Sequence, residues 1–328
     1  MKALVLFSGG LDSMLAIRLL KEQGVDVLAI HIDIGFGAGE SKFEVLKKRA
    51  AMAGAELKIV DIRSEYLQNV LFNPKFGYGK HFNPCIDCHA YMFKTALSMM
   101  EDEGASFIAT GEVLGQRPMS QRRDAMVHVK TLARDEDDLI LRPMSALLMK
   151  PTKPEREGWV DRERLLGFSG RDRKPQIALA KKFGFVDFES PAGGCLLTVE
   201  GFANKIKDFL KFDKDMSLKD MQLLRIGRHL RLKNGSKMVI GRDESDNEKL
   251  LALQNPKFAQ IEFDDSVVGA VSLINLNADE EDLKFAVRLA LAYTRADKER
   301  EYSAKVGERT IITKPFEDKS PAQKWFII

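Results

Sequence analysis

The first half of the chain alternates between short apolar runs and segments whose apolar residues recur at helical spacing. Four apolar runs predict buried strands: residues 2–7, 25–33, 57–61 and 106–110. Three segments between them predict helices: residues 11–23, 41–52 and 89–103. Strands that alternate with helices are typical of βαβ units. The pattern therefore predicts an α/β domain with a doubly wound parallel sheet.

The rest of the chain has a different pattern, which predicts a second, smaller α+β domain. Asn234 and Gly235 form a dipeptide that is typical of a hairpin turn between two short strands. A long amphipathic helix is predicted at residues 280–296, and a terminal strand pair turns at Gly307. We place the boundary near residue 212, which gives domains of residues 1–212 and 213–328.

A polar, glycine-rich loop follows the first predicted strand, at the sheet edge where parallel sheets bind ligands. Its residues are Ser8, Gly9, Gly10, Leu11, Asp12 and Ser13. The glycines permit a sharp turn close to a ligand, and the following helix directs N–H groups at the same point. A carboxylate would repel a phosphate unless it helps to hold Mg²⁺, so Asp12 predicts a magnesium-assisted phosphate site.

The loop lacks the GK[ST] ending of a Walker A loop, and a plain strand-to-helix turn with a polar N-cap is the alternative interpretation. SGGLDS resembles the SGGxDS loop of the PP-loop ATP-pyrophosphatases, which include GMP, asparagine and argininosuccinate synthetases and several tRNA-modifying enzymes. The resemblance implies that ATP is split into AMP and pyrophosphate. It places adenine against Ile32 and Asp33 and the α-phosphate near Thr110 and Gly111, although sheet-end packing would also explain Ile32 and Thr110.

Composition narrows the class of protein. The chain has 328 residues, 45% of them hydrophobic, which is enough for two domains with their own cores. The net charge of +3 means that any nucleic-acid surface must come from local clusters of charge. No apolar run approaches the ~20 residues of a membrane span. Three cysteines argue against a disulfide framework and for a reducing compartment, so we expect a cytoplasmic protein without membrane partners.

The cysteines are candidates for chemistry. Cys85 and Cys88 form a CxxC pair, and Cys195 lies in a glycine-rich segment far along the chain. Thiols at this spacing bind a metal or form a redox pair. A structural zinc site completed by His81 or His89 is an alternative, and an inert buried thiol is the alternative for Cys195 alone.

Two segments around the cysteines resemble tRNA-thiolating enzymes. NPCIDCHAYMFK resembles the NPDxxCNxxIKF segment of tRNA 2-thiouridylases, which implies that Cys88 is catalytic and that Cys85 replaces an aspartate. PAGGCLLT resembles the loop of their second catalytic cysteine, which implies the same role for Cys195. GEVLGQRPMSQ instead resembles a GExLGQxxSQ stretch of 4-thiouridine synthases. The resemblance covers the predicted first domain but points to more than one subfamily.

Two sulfur-transfer routes are compatible with these thiols. Three cysteines at a PP-loop site resemble tRNA thiolases in which three thiolates, here Cys85, Cys88 and Cys195, hold a [4Fe–4S] cluster. The competing route is a persulfide on Cys195 or Cys88 that another cysteine resolves as a disulfide. We favour the cluster because a third thiol near a CxxC completes a three-thiolate site. A cysteine desulfurase or another sulfur donor is the expected partner.

A basic segment predicts RNA binding by the second domain. Residues 205–242 contain eleven Lys or Arg against four Asp. Four of these positives around the hairpin predict one basic face suited to RNA phosphates: Arg228, Arg231, Lys233 and Lys237. The surrounding IGRHLRLKNGSKMVIGRDESDNEKL resembles the RNA-binding domain of NFACT-type proteins. Arg117, Arg122 and Arg123 are further candidates for contact with RNA or pyrophosphate, with ordinary surface exposure as the alternative.

These patterns together predict an enzyme, a tRNA sulfurtransferase that forms AMP and pyrophosphate. The uridine carbonyl oxygen would attack the α-phosphorus of ATP, and sulfur would then displace AMP. Two alternatives remain open. One is a small-molecule ATP-pyrophosphatase that forms an amide or nitrile, and the other is a non-catalytic RNA-binding module with a vestigial nucleotide pocket.

Overall fold

The structure is a computed structural model that describes residues 1–37, 42–189, 194–264 and 266–328. It divides into two compact units, Met1–Thr198 and Val199–Ile328. Residue 41 of the second predicted helix and residues 191–193 of the PAGGC segment lie outside the described residues.

The first unit is built on a five-stranded parallel sheet with flanking helices. Its strands are β1 (Lys2–Leu6), β2 (Asp26–Asp33), β3 (Glu56–Asp61), β4 (Phe107–Thr110) and β5 (Ile140–Leu141). Its helices are α1 (Leu11–Lys21), α2 (Phe43–Ala53), α3 (Arg63–Tyr66), α4 (Cys85–Ser98), α5 (Arg123–Ala133), α6 (Lys153–Arg156) and α7 (Lys174–Lys182). The strand order is β3-β2-β1-β4-β5, and each neighbouring pair is parallel. The predicted α/β parallel-sheet fold is confirmed.

Strand β1 occupies the centre of this sheet and is covered on both faces. Ala3 and Val5 pack into the core that α1 shares, whereas Leu4 points to the opposite face, and all three are fully buried. A strand covered on both faces gains from apolar residues at every position. This explains why the sequence shows a continuous apolar run instead of alternation.

Helix α4 begins four residues earlier than the predicted helix, which started at His89. Cys85 and Cys88 therefore lie in the first turn of a helix and not in a loop. Pro84 occupies the N-cap position, where its missing N–H costs no intrahelical hydrogen bond. A helical CxxC places its two thiols about one turn apart on neighbouring faces.

The second unit is built on a six-stranded antiparallel sheet of order β11-β10-β8-β9-β7-β6. Its strands are β6 (Arg228–Arg231), β7 (Lys237–Ile240), β8 (Phe258–Phe263), β9 (Ser272–Asn275), β10 (Tyr302–Val306) and β11 (Arg309–Thr313). Its helices are α8 (Glu200–Phe212), α9 (Leu218–Leu224), α10 (Glu244–Leu253) and α11 (Glu280–Ala292). The predicted α+β domain and its hairpin are confirmed, with Gly235 at a φ of 94° in the turn.

The division between the units falls earlier than the predicted position near residue 212. Helix α8 belongs to the second unit because its polar side chains bind elements of that unit. Asp208 forms an ion pair with Arg231 of β6 at 2.7 Å, and Lys205 donates to the carbonyl of Leu224 in α9 at 3.3 Å. Such long-range partners cannot be read from the local pattern of α8.

In the described part of the chain, no helix combines the length and the apolar character that crossing a bilayer requires.

Candidate functional site

A cavity of about 750 Å³ opens at the carboxyl ends of β1, β2 and β4. The SGGLDS loop forms part of its wall through Ser8, Gly10, Leu11, Asp12 and Ser13. This is the edge at which parallel α/β sheets bind ligands. The loop and the end of β4 thus lie where the sequence predicted a phosphate site.

The loop is shaped by its two glycines and by α1. Gly9 has a φ of 77°, and a side chain there would overlap Leu46. Gly10 is the N-cap of α1 and has no side chain that could cap the helix. The N–H groups at the start of α1 therefore donate no hydrogen bond to an N-cap side chain. The hydroxyl of Ser8 accepts the Gly10 amide at 3.3 Å, and the hydroxyl of Ser13 donates to the Gly10 carbonyl at 2.8 Å. These features are typical of a backbone anion site.

Gly111, at the end of β4, lies unusually close to the first turn of α1. A Cβ atom at this position would lie 2.4 Å from the carbonyl carbon of Asp12 and 2.5 Å from the nitrogen of Ser13. Both are backbone atoms, so they cannot move aside as the end of a side chain can. The close approach of β4 to the loop therefore requires glycine.

We expect Gly111→Ala to displace the start of α1 and to weaken ATP binding. Overpacking of this kind costs roughly 1–3 kcal/mol of stability. Isothermal titration with ATP and a thermal melt would measure both effects. Gly167→Ala is the matched control, because a Cβ there meets only atoms at ordinary contact distances of 3.5 Å or more. Unchanged ATP affinity in Gly111→Ala would contradict this role.

Asp12 is held by two side chains that the sequence analysis missed. Gln116 donates to its carboxylate at 2.7 Å, and Arg173 lies 3.4 Å from it. Gln176 in turn donates to Gln116 at 3.0 Å. Mg²⁺ is held in nucleotide sites by one or two carboxylates together with phosphate oxygens, and a single carboxylate beside an anion loop fits that requirement. Arg173 stands in the basic run GRDRK, which was the only local signal for it.

The two residues predicted to contact adenine, Ile32 and Asp33, have different surroundings. Ile32 lines the cavity, together with Ile30 and His31 from the same strand. Asp33 instead accepts the amide of Gly35 at 2.8 Å and is buried at the end of β2. The structure therefore gives Asp33 a local structural role, and leaves Ile32 on the cavity wall.

The three cysteines line this same cavity although they are distant in sequence. Cys85 is partly exposed, Cys88 is buried, and Cys195 is partly buried. The amide nitrogen of Asn83 lies 3.1 Å from the sulfur of Cys85. Asp87, between the two cysteines of α4, accepts the amides of Lys75 and Phe76 at 2.7 and 3.1 Å. Asp87 thus fixes the chain that leads to the cysteine helix.

Burial makes two of the thiols harder to deprotonate. Burial raises the pKa of Cys88 to about 12, and the nearby Cys195 and Cys85 add to this effect while the adjacent Tyr66 hydroxyl opposes it. Burial also raises the pKa of Cys195, against the backbone amide of Leu197. Because the thiolate is the nucleophilic form, both thiols are weak nucleophiles in the free protein.

We therefore expect Cys85 to react first with iodoacetamide at pH 8 and Cys88 to react last. A pKa of about 12 leaves only about one Cys88 in 10⁴ as thiolate at that pH. Peptide mass spectrometry over a time course would give the three rates. The unfolded protein serves as the control, because all three thiols should then react at similar rates. Equal rates for Cys85 and Cys88 in the native protein would contradict the burial of Cys88.

The thiols were also predicted to bind a metal, and the structure does not show such a site among the described residues. All three cysteines lie within the described residues, and among those residues no group of three or more Cys, His, Asp or Glu side chains is arranged to hold a metal ion. His89, the candidate fourth zinc ligand, is hydrogen bonded to Glu112 at 2.8 Å.

Glu112 forms a buried charge network at the cavity wall. Its carboxylate accepts from Arg142 at 2.9 Å and from His89 at 2.8 Å, and Arg142 also lies over the ring of Phe93. Burial alone would raise the pKa of Glu112, but the charge of Arg142 and the bond from His89 outweigh burial and lower it. Glu112 belongs to the GEVLGQRPMSQ segment, and its partners Arg142 and His89 are 30 and 23 positions away in the chain.

Glu112→Gln is expected to destabilise the first unit by roughly 3–5 kcal/mol, because it leaves the charge of Arg142 buried without its partner. A lowered pKa in the folded state means that the contribution of Glu112 is complete above its ordinary value of 4.5 and is lost as the pH falls through the folded value. Urea unfolding between pH 3 and pH 7 should therefore be less pH-dependent in Glu112→Gln than in the wild type. If the stability of both proteins changed equally with pH, Glu112 would not be the source of this pH dependence.

The predicted basic face of the hairpin is wrong, because its cations are partnered. Arg231 and Lys237 both pair with Asp208, at 2.7 and 2.9 Å, and Lys237 is buried. Lys233 pairs with Glu281 at 2.8 Å, and Arg228 donates to the carbonyl of Gly241. Asp208 belongs to α8 and Glu281 to α11, so the acids that pair with Arg231, Lys237 and Lys233 come from outside the hairpin.

The three arginines after β4 differ in position and in their partners. Arg117 lines the cavity and is exposed. Arg122 forms an ion pair with Asp124 at 2.9 Å, and Arg123 donates to the carbonyl of Leu148 at 3.0 Å. Of the three, only Arg117 lies on the cavity wall.

Comparison with known families agrees with the geometry of both units. Residues 2–111 match the family model of the argininosuccinate synthase N-terminal HUP domain. Residues 227–326 match the model of the NFACT protein RNA binding domain. The two matches lie in different units of the structure.

Curated relatives match part of the chain. A tRNA-specific 2-thiouridylase MnmA of Helicobacter hepaticus is 28% identical over 168 residues, covering 47% of this chain and 49% of the relative. The enzyme of the same name from Desulfosudis oleivorans is 34% identical over 110 residues, covering 33% and 30%. The predicted resemblance is confirmed. The chain spans less than half the length of each of these relatives.

A solved structure also overlaps with this chain. It is described as a 4-thiouridine synthetase–RNA complex with bound ATP, and it covers 56% of this chain and 40% of its own. The identity is 21% and the TM-score is 0.41. An overlap of this size carries no functional argument.

Proposed function

We propose that this protein is a tRNA sulfurtransferase that uses ATP to replace a uridine carbonyl oxygen with sulfur and forms AMP and pyrophosphate. The observation that carries the proposal is that the SGGLDS loop and all three cysteines line one cavity. A phosphate loop alone indicates a nucleotide site, and thiols alone indicate redox or sulfur chemistry. Their meeting at one sheet edge supports both activation and sulfur transfer on the same substrate atom.

The first step activates the uridine. Its carbonyl oxygen attacks the α-phosphorus of ATP, the bond to pyrophosphate breaks, and an adenylate forms. The glycine-rich loop and the first turn of α1 bind the phosphates through backbone N–H groups. Asp12 would hold Mg²⁺, which neutralises pyrophosphate charge when it is bound. The match to the HUP domain and the thiouridylase relatives support this assignment.

The second step transfers sulfur through two of the thiols. A persulfide on Cys195 attacks the activated carbon through its outer sulfur, and AMP leaves. Cys88 then attacks the inner sulfur, the S–S bond of the persulfide breaks, and a Cys88–Cys195 disulfide forms while the outer sulfur stays on the base. A dithiol reductant restores the thiols, and a sulfur donor such as a cysteine desulfurase renews the persulfide. Because burial raises the pKa of Cys88, this thiol has to give up its proton to a base before it attacks.

The second unit is assigned to tRNA binding, in the cytoplasm. Its support is the match of residues 227–326 to the RNA-binding domain of NFACT proteins. Because Arg231 and Lys237 share Asp208 and Lys233 pairs with Glu281, RNA binding by this unit does not rely on free positive charges at these three positions.

The decisive experiment combines pyrophosphate release with nucleoside analysis. Purified protein with ATP, a persulfide donor and unmodified tRNA should release pyrophosphate and produce a thiouridine detectable by mass spectrometry. The same thiouridine should be missing from the tRNA of a deletion strain. Thiouridine-free tRNA in the reaction and a normal nucleoside profile in that strain would contradict the proposal.

A small-molecule ATP-pyrophosphatase is the second candidate, and the argininosuccinate synthase match of residues 2–111 favours it. The same assay separates the two candidates. Pyrophosphate release that needs tRNA supports thiolation, whereas release that needs a carboxylate or amine but no tRNA supports the second candidate. A protein that binds RNA but never releases pyrophosphate would be the non-catalytic module.

A further inference from the structure

A second cavity, of about 660 Å³, opens within the unit Val199–Ile328 and shares no lining residue with the cysteine cavity. Its wall includes the end of α8, the hairpin between β6 and β7, and the segment after β9. None of the steps proposed above uses it. Its volume is in the range of sites that hold a small ligand or one nucleotide.

An aromatic ring and a guanidinium form a stacked platform in this cavity. Phe212, the last residue of α8, is 57% exposed, which is unusual for a phenylalanine. The guanidinium of Arg231 lies 3.9 Å from the centre of its ring. Arg231 is fixed there by two bonds to Asp208, of 3.0 and 2.7 Å, and by one of 2.6 Å to the carbonyl of Gly235. The platform is therefore held in place before any ligand binds.

The charges around the platform favour a neutral ligand over a phosphate. Lys237 binds Asp208 at 2.9 Å, so this carboxylate is shared by two cations of the wall. Lys257 lies between Asp213 and Asp220, at 2.6 and 2.9 Å. Each cation of the wall thus has a carboxylate partner already. A phosphate would have to compete with these ion pairs, whereas an uncharged planar ring would not.

Amide side chains complete the wall. Asn275 accepts the backbone amide of Lys237 through its oxygen at 2.6 Å. Within the described residues, the side-chain NH₂ of Asn275 and the whole side-chain amide of Asn277 have no hydrogen-bond partner. Asparagine offers a donor and an acceptor side by side, which is the pattern that reads the edge of a nucleobase.

We propose that this cavity binds one unstacked nucleobase of single-stranded RNA, with its ring on Phe212 and its edge on the amides of Asn275 and Asn277. The inference rests on the proposed function only in taking RNA as the partner. Stacking on aromatic and arginine planes, with edge contacts to side chains, is how proteins bind single-stranded RNA. The site would hold a loop or end of the tRNA rather than its duplex stems.

The test is fluorescence anisotropy of the full chain with short, fluorescein-labelled oligoribonucleotides, one single-stranded and one duplex of the same sequence. The wild type should bind the single strand more tightly than the duplex. Phe212→Ala should weaken single-strand binding by about 5- to 150-fold, the range that corresponds to the loss of one stacked base. Phe212→Trp retains a ring and should restore binding. Single-stranded homopolymers of A, C, G and U test the contact with the base edge. Their affinities should differ less for Asn277→Ala than for the wild type.

Ile312→Ala is the matched control, because Ile312 is also an apolar side chain on the surface of the same unit and is 64% exposed. It should bind like the wild type. Single-strand affinity in Phe212→Ala within about twofold of the wild type would overturn the site, as would competition by free nucleosides as strong as that by the oligonucleotide. The absence of single-strand binding by the wild type would also overturn it and would point to a protein ligand. Pyrophosphate release is measured separately from RNA binding. Thiolation can therefore fail while Phe212-dependent binding remains, and Phe212-dependent binding can fail while thiolation remains.

Discussion

Asp12→Asn is expected to lower ATP-dependent pyrophosphate release by roughly 100-fold or more, the largest loss that a single exchange in the loop should cause. The amide keeps the size of the side chain and can still contact Gln116, which lies 2.7 Å from Asp12. What it loses is the negative charge that would hold Mg²⁺ beside the phosphates. Metal stabilisation of phosphoryl transfer contributes several kcal/mol, and each 1.36 kcal/mol is tenfold in rate, so about 3 kcal/mol gives this factor.

The control for this prediction is Asp124→Asn. Asp124 also lies in the first turn of a helix and also faces an arginine, Arg122, at 2.9 Å, but it is outside the cavity. Its exchange should leave release unchanged, and the thermal midpoints of both variants should stay close to that of the wild type. Normal AMP formation by Asp12→Asn at saturating Mg²⁺ would remove Asp12 from the mechanism.

Cys195→Ser and Cys88→Ser are each expected to abolish thiouridine formation while pyrophosphate release continues. The two steps use different groups of one cavity, so the adenylate can form without the thiols. Serine is close in size to cysteine and keeps the buried position of Cys88 filled. Nucleoside mass spectrometry measures the thiolated product, and a coupled assay measures pyrophosphate in the same reaction.

Cys85→Ser separates the two sulfur routes. In the persulfide route Cys85 has no covalent role, so this variant should keep measurable thiolation, and the wild type should contain a Cys88–Cys195 disulfide after one turnover without reductant. A three-thiolate cluster would instead require all three cysteines and would give the anaerobically purified protein absorbance near ~400 nm. A coloured protein that loses thiolation in all three variants would refute the persulfide route.

The prediction of the fold succeeded where the information is local. The continuous apolar run of β1 follows from burial on both faces of the strand, and both this run and the helical spacing of α1 can be read directly from the sequence. The glycine-rich loop is equally local, because the backbone of Gly9 has a positive φ that residues with a side chain rarely adopt. The start of α4 was missed because Pro84, which is the N-cap of the helix, is also a residue typical of turns.

The candidate site was only partly predictable. Resemblance pointed to Cys88, Cys195 and Asp12, and the structure places all three on one cavity wall. The partners of Asp12 were not visible, because Arg173 is 161 positions away and Gln116 is 104 positions away. The basic face failed for the same reason, since the charge of Arg231 is cancelled by Asp208 from a helix that was assigned to the other domain.

The sequence by itself determined the class of each unit, the glycine-rich loop after β1 and the three cysteines that are candidates for chemistry. These follow from backbone preferences, from hydrophobic period and from side-chain chemistry, which belong to short stretches of chain. The tertiary structure alone decided which charges are free, which thiols are buried, and that Gly111 must have no side chain where β4 approaches α1. Ion pairs, burial and close backbone approach depend on atoms that are brought together only by folding.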